Sequence, residues 1–201
     1  MAQNQDHSDH ANISTGRLEA FSDGVLAIII TITVLGVRIP AGSSLSDLKP
    51  LLPILITYLV SFQTVGTYWN NHHLLIQATD HISTGILWAN LHLLFWLSLI
   101  PFATGWLGQN FGSHWPTAIY AGVLLCCALA YQILQFQALK HSSKREQLLR
   151  EFRQNPKGMA SLGCYVLAFL FAFSLPIVSD ILILAISALW FVPDKRIQKY
   201  I

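Results

Sequence analysis

Long apolar runs that are almost free of charge constrain this 201-residue chain more than any motif does. Hydrocarbon offers no water to backbone N–H and C=O groups, so such a chain must satisfy its backbone inside helices or a closed barrel. A helix needs about 17 to 25 apolar residues to cross, and six stretches qualify: about 18–38, 50–69, 82–107, 116–139, 158–175 and 177–192. The last is the shortest. The strict alternation and even turn spacing of a barrel are absent. With 53% hydrophobic and 11% charged residues, the chain is no soluble domain. The expected fold class is all-α, a six-helix membrane protein.

Lysine and arginine placement orients the spans. Lys140, Lys144, Arg145, Arg150, Arg153 and Lys157 lie between the fourth and fifth spans, and Lys195, Arg196 and Lys199 follow the sixth. Only Arg38 and Lys49 fall between the first and second spans, and Arg17 precedes the first. The positive-inside bias then puts both termini in the cytoplasm of a cell membrane. Residues 1–16 form a polar cytoplasmic N-terminus, 17–193 the six-helix domain with a basic loop at about 140–157, and 194–201 a basic tail. Met1 to Ser14 has no basic flank followed by a short apolar core, so no cleaved signal peptide is expected. The net charge of +2 mostly restates the basic loop, which suits lipid headgroups and makes nucleic acid a poor partner. Cys126, Cys127 and Cys164 have no ligand or redox spacing and are expected to pack.

The first span opens on Arg17-Leu-Glu-Ala-Phe21-Ser22-Asp23-Gly24 and then runs apolar from Val25 to Val37. Charge at the edge of hydrocarbon is costly, and where it is kept it usually pairs or lines a conduit. At about 100° per residue, Arg17, Phe21, Gly24, Ile28, Thr31, Ile32 and Leu35 share one stripe, with Asp23 well away from it. Around a shared axis, Ile28, Ile32 and Leu35 would form successive aliphatic rings of the kind that controls ions by dewetting. An aliphatic stripe more often meets lipid or a neighbouring helix, so the wheel alone leaves both uses open.

The second span carries Thr57, Ser61, Thr64, Tyr68 and Asn71 at helical spacing and ends in Tyr68-Trp69-Asn70-Asn71-His72-His73. Tyr68 and His72, four apart, are both expected to turn toward Ser22 and Asp23. The third span runs through Asn90 and His92 and breaks at Pro101-Phe102-Ala-Thr104, where freed backbone groups need partners. His72, His73, His81 and His92 lack a tight ligand spacing, and no nucleophile with a base accompanies them, so neither an enzyme nor a metal site is expected. A secondary transporter would show internal repeats or paired broken spans, and the second half holds no copy of the Phe-Ser-Asp cassette.

These residues resemble the bacterial members of the transmembrane protein 175 family of potassium channels. The signature Arg-x-x-x-Phe-Ser-Asp-Gly-Val-x-Ala-Ile is met by Arg17, Phe21, Ser22, Asp23, Gly24, Val25, Ala27 and Ile28. Tyr68-Trp69 with His72-His73, and Asn90 with Pro101-Phe102 and Thr104, look like the second- and third-helix patterns, so the resemblance covers chiefly residues 17–105. It implies a homotetramer with the first helix of each subunit around a central pore, no cofactor, and potassium as the permeant ion. Ile28 then forms the narrowest ring, with Ile32 and Leu35 beyond it. Arg17, Phe21, Ser22, Asp23, Trp69 and His72 form a network bracing the pore helices, and protonation of His72 near its reference pKa of about 6.5 is expected to bias it. Family members often carry an acidic residue after the leucine matching Leu35, where this chain has Gly36 and then Arg38. No Thr-Val-Gly-Tyr-Gly filter is present, which leaves Thr31 as the hydroxyl nearest the constriction, and a modest preference for potassium over sodium is the family expectation.

Overall fold

The computed structural model describes residues 15–140, 142, 145–146 and 156–190. Met1 to Ser14, Lys144, Arg150, Arg153 and the basic tail with Lys195, Arg196 and Lys199 lie outside the described residues.

Helix α1 (Thr15–Thr33) tightens into a 3-10 turn, Val34–Gly36. A second 3-10 turn, Leu45–Leu51, opens on a capping box in which Asp47 accepts from the Ser44 N–H at 2.9 Å. It feeds α2 (Leu52–Gln77), where Pro53 occupies the first turn, a position whose N–H would have no helical partner anyway. Helix α3 (Thr84–Ser98) starts at Ser83, whose hydroxyl accepts from the Ile86 N–H. Helix α4 (Ile100–Gln109) follows at once. The interruption between them has a covalent cause: Pro101 has no N–H to offer the Leu97 carbonyl. Helices α5 (His114–Lys140), α6 (Pro156–Phe171) and α7 (Pro176–Trp190) complete the bundle.

Four helical stretches are long and apolar enough to cross a membrane: Thr15–Gly36, Leu45–Gln77, the broken pair Thr84–Gln109, and His114–Lys140. Helices α6 and α7 are shorter, at 16 and 15 residues. The expected fifth span to residue 175 ends early because Pro176 cannot donate to Ala172. The carbonyl of Phe171 instead accepts from both the Ser174 and Leu175 N–H groups. The second span overruns its expected end at residue 69, since Asn70 to His73 are polar yet helical and lead into Leu74 to Gln77.

Helix α5 is the central post, packed against α3, α4 and α6, with Tyr120, Leu124, Cys127 and Leu134 fully buried along one face. Cys127 lies in this core and Cys126 and Cys164 are partly buried, so all three pack without bonding. Polar groups inside the bundle are linked in chains. The Thr104 hydroxyl donates to the Ile100 carbonyl at 2.7 Å, which leaves its oxygen to accept from Ser61 at 2.6 Å. Ser61 in turn accepts from the Tyr120 hydroxyl at 2.8 Å. Thus α5, α2 and α4 are tied through one relay, in which Ser61 of the polar stripe of α2 finds its partners. Asp180 on α7 accepts from the Thr117 hydroxyl at 3.1 Å and the Gly112 N–H at 3.3 Å, tying α7 to the start of α5.

Candidate pore helix and its clasp

Helix α1 packs against α2, α3 and α4 with one face only. Leu18, Ser22, Leu26, Ile29 and Thr33 recur at helical spacing and are buried. The predicted stripe turns the other way: Phe21 is 53% exposed, Ile28 59%, Ile32 42% and Leu35 79%, against 1% for Leu26 and 2% for Ile29. Arg17, Gly24 and Thr31 share that exposure, and a Cβ added at Gly24 would meet nothing within 4 Å. All seven stripe residues therefore lie on the unpartnered face of a single subunit. The Thr31 hydroxyl donates to the Ala27 and Ile28 carbonyls, both at 3.0 Å. Its hydrogen being spent on its own helix, its oxygen lone pairs are what it presents outward.

The opposite face is held by a buried relay. Asn90 Oδ1 can only accept, so His72 Nε2, 2.7 Å away, carries the proton and donates. Asn90 Nδ2 donates to Ser22 Oγ at 2.9 Å, and Ser22 donates to the Leu18 carbonyl at 2.8 Å. These three side chains are at most 1% exposed and join α2, α3 and α1. His72 Nδ1 has no hydrogen-bond partner among the described residues, so the relay is complete with a neutral imidazole. Nearer the surface, Trp69 Nε1 donates to Asp23 Oδ1 at 3.0 Å, and His73 Nδ1 meets Glu19. The Trp69 and His73 rings stack with centroids 6.3 Å apart. Glu19 and Asp23 on α1, each four residues apart from the other, thus face Trp69 and His73 at the same spacing on α2.

Four of the residues expected to brace the pore helix, Ser22, Asp23, Trp69 and His72, are brought together. Arg17 and Phe21 are not: both point outward with the stripe, and Arg17 makes no hydrogen bond or ion pair with another described residue. Tyr68 also departs from expectation. It turns toward α5, where its ring meets Tyr131 edge-on with centroids 5.7 Å apart. Periodicity put Tyr68 near the face of His72 but could not say that α5 lay beside it. Asn90, the centre of the relay, and the Glu19–His73 pair were missed as site residues; the matched i, i+4 spacing on α1 and α2 was the available signal. His92 accepts from Trp96 Nε1 on its own helix at 2.9 Å.

At the far end of α1, Arg38 donates to Gln109 Oε1 at 2.7 Å. A Cβ on Gly36 would lie 3.5 Å from Gly105 Cα of α4. A methyl fits there, but a longer side chain must pass α4, which gives the missing acidic residue a packing context.

The family model described as the endosomal/lysosomal potassium channel TMEM175 matches residues 17–101. A potassium channel of Chryseobacterium is 44% identical over 187 residues, covering 93% of this chain and 97% of that protein. A potassium channel of Streptomyces collinus is 34% identical over 128 residues, 60% of this chain and 62% of its own length. The crystal structure of a lysosomal potassium-selective channel TMEM175 homologue from Chamaesiphon minutus superposes with a TM-score of 0.76 at 26% identity, covering 88% of this chain and 96% of that one. On a near full-length relative at this identity, an all-helical fold shared with a solved member and a signature helix in register, the chain belongs to the TMEM175 family of membrane channels.

Proposed function

We propose that this chain forms a potassium-permeable, potassium-preferring pore by homotetrameric assembly around α1, in a bacterial cell membrane with both termini cytoplasmic. Ile28, Ile32 and Leu35 line the pore as aliphatic rings, Ile28 the narrowest, and no carbonyl filter loop takes part. The observation that supports this most directly is the two-faced character of α1: one face is anchored by a buried relay, while the other carries large aliphatic side chains with no partner in the subunit. Thr31 offers oxygen to a partly hydrated cation just beyond Ile28, and narrow aliphatic rings admit ions only when wetted. Arg17 and Phe21, exposed and without a hydrogen bond or ion pair among the described residues, act between subunits at the cytoplasmic mouth. Lys140, Arg145 and Lys157 share that end and fit the positive-inside orientation.

Purified protein in liposomes tests the proposal. Potassium should run down its gradient with no coupled ion and no added substrate, faster than sodium. Flux that stops unless a second ion is supplied would identify a transporter instead.

A further inference from the structure

A cavity of about 350 Å³ opens among α2, α5, α6 and α7, away from the exposed stripe of α1. Its size is that of a ligand pocket and more than ten times the volume of one water in the liquid. The lining residues include no charged side chain but many hydrogen-bonding ones, Gln63, Tyr131, Gln135 and Ser187 among them, set between the rings of Phe136 and Trp190. Ser187 is 6% exposed and its Oγ has no hydrogen-bond partner among the described residues. Thr64 in the same wall, and Thr57 and Thr104 elsewhere in the bundle, donate back to their own helices. Ser187 does not. A buried hydroxyl in a cavity wall with no partner among the described residues can be satisfied by a polar occupant once its side chain turns inward.

Charge lies at the rim. Lys140 Nζ sits 4.4 Å from the centroid of Phe136, and Lys157 Nζ 5.9 Å from that of Trp190, so both lining rings carry an ammonium at the end of the bundle that holds Arg145. An occupant must therefore combine an apolar body, an uncharged hydrogen-bonding middle and a negative end. We propose that this cavity is a site for an anionic glycerophospholipid drawn from the bilayer: its glycerol-ester region bonds Ser187 and Gln135, and its phosphate meets Lys140. Basic residues at the membrane surface attract such lipids, and the wall chemistry adds a built place for one. The inference rests on the chain's residence in a membrane and is independent of whether it conducts.

Native mass spectrometry of the delipidated protein, titrated with phosphatidylglycerol or phosphatidylcholine, tests it. The protein should retain phosphatidylglycerol in preference. Ser187→Ala should lower that retention about two- to tenfold, the worth of one hydrogen bond, with elution and thermal unfolding unchanged because Ser187 Oγ loses no partner among the described residues. Lys140→Gln, at an exposed position, should erase the preference between the two lipids while some binding persists. Equal retention of both lipids by the unaltered protein would overturn the proposal, as would undiminished retention in Ser187→Ala. Displacement of the lipid by soluble glycerol phosphate alone would also overturn it, by making the ligand a free phosphate rather than a membrane component. An empty spectrum at every lipid concentration would mean that the cavity holds water only.

Discussion

Asn90 sits where three helices meet, and its carboxamide bonds both His72 and Ser22. A single hydrogen bond between membrane helices is worth about 0.6 kcal/mol on average. Asn90→Ala should cost more, about 1–3 kcal/mol, since truncation leaves buried groups on both sides unpaired. The check is thermal unfolding of the detergent-purified variant. Asp23→Ala or Trp69→Phe should cost less, their bond being half-exposed at the surface. Arg17→Ala separates fold from assembly: with no partner among the described residues of its own subunit, its loss should leave helix content intact while the proposed tetramer dissociates on size exclusion. His72 brings pH into the relay. A second proton, on Nδ1, meets no acceptor among the described residues, so the ring resists charging; current should hold from neutral into mildly acidic solution and change only in acid strong enough to charge His72, a change that His72→Gln should abolish. Of these residues, Ser22, Asp23, Trp69 and His72 were legible through a signature with fixed spacing. Asn90 was visible as part of the pattern, but its role was not, because a contact between residues 68 positions apart leaves no mark on local periodicity.

Helix boundaries and crossings show what hydropathy can and cannot carry. The spans were legible because charge is excluded over a membrane's thickness, and the break at Pro101 because a missing N–H is written in the sequence. The overrun of α2 past residue 69 was not, since polar residues continue a helix beyond hydrocarbon without any hydropathic signal. Buried Asp180 was likewise passed over, for a carboxylate is tolerated there only through Thr117 and Gly112, residues far away in the chain. Close crossings are equally silent. At Gly108 an added Cβ would fall 2.7 Å from Ile54 Cα and 2.6 Å from its Cγ1, which forces α4 off α2. Gly108→Ala should therefore destabilise by about 1–3 kcal/mol, the usual cost of overpacking, whereas Gly24→Ala, with open space around it in the subunit, should leave the isolated fold unchanged. Comparing the unfolding temperatures of the two variants settles the contrast.

For the molecule as a whole, the account turns on which face of α1 meets ions. One copy cannot enclose a passage with a single stripe, so the proposed pore role of Ile28, Thr31, Ile32 and Leu35 requires copies assembled around it. The buried set Leu26 and Ile29 serves the subunit core instead. Ile29→Ala should accordingly cost about 2–5 kcal/mol of stability, with permeation preserved in whatever protein folds. The most direct measurement is the reversal potential in a planar bilayer with potassium on one side and sodium on the other, made on the unaltered protein, Ile28→Ala and Ile29→Ala. The prediction is a modest potassium preference in the unaltered protein, a larger current with reduced preference in Ile28→Ala, whose smaller side chain widens and wets the ring, and unchanged preference in Ile29→Ala. Unchanged current and preference in Ile28→Ala, with both altered in Ile29→Ala, would contradict the account by placing the ion path on the other face of the helix.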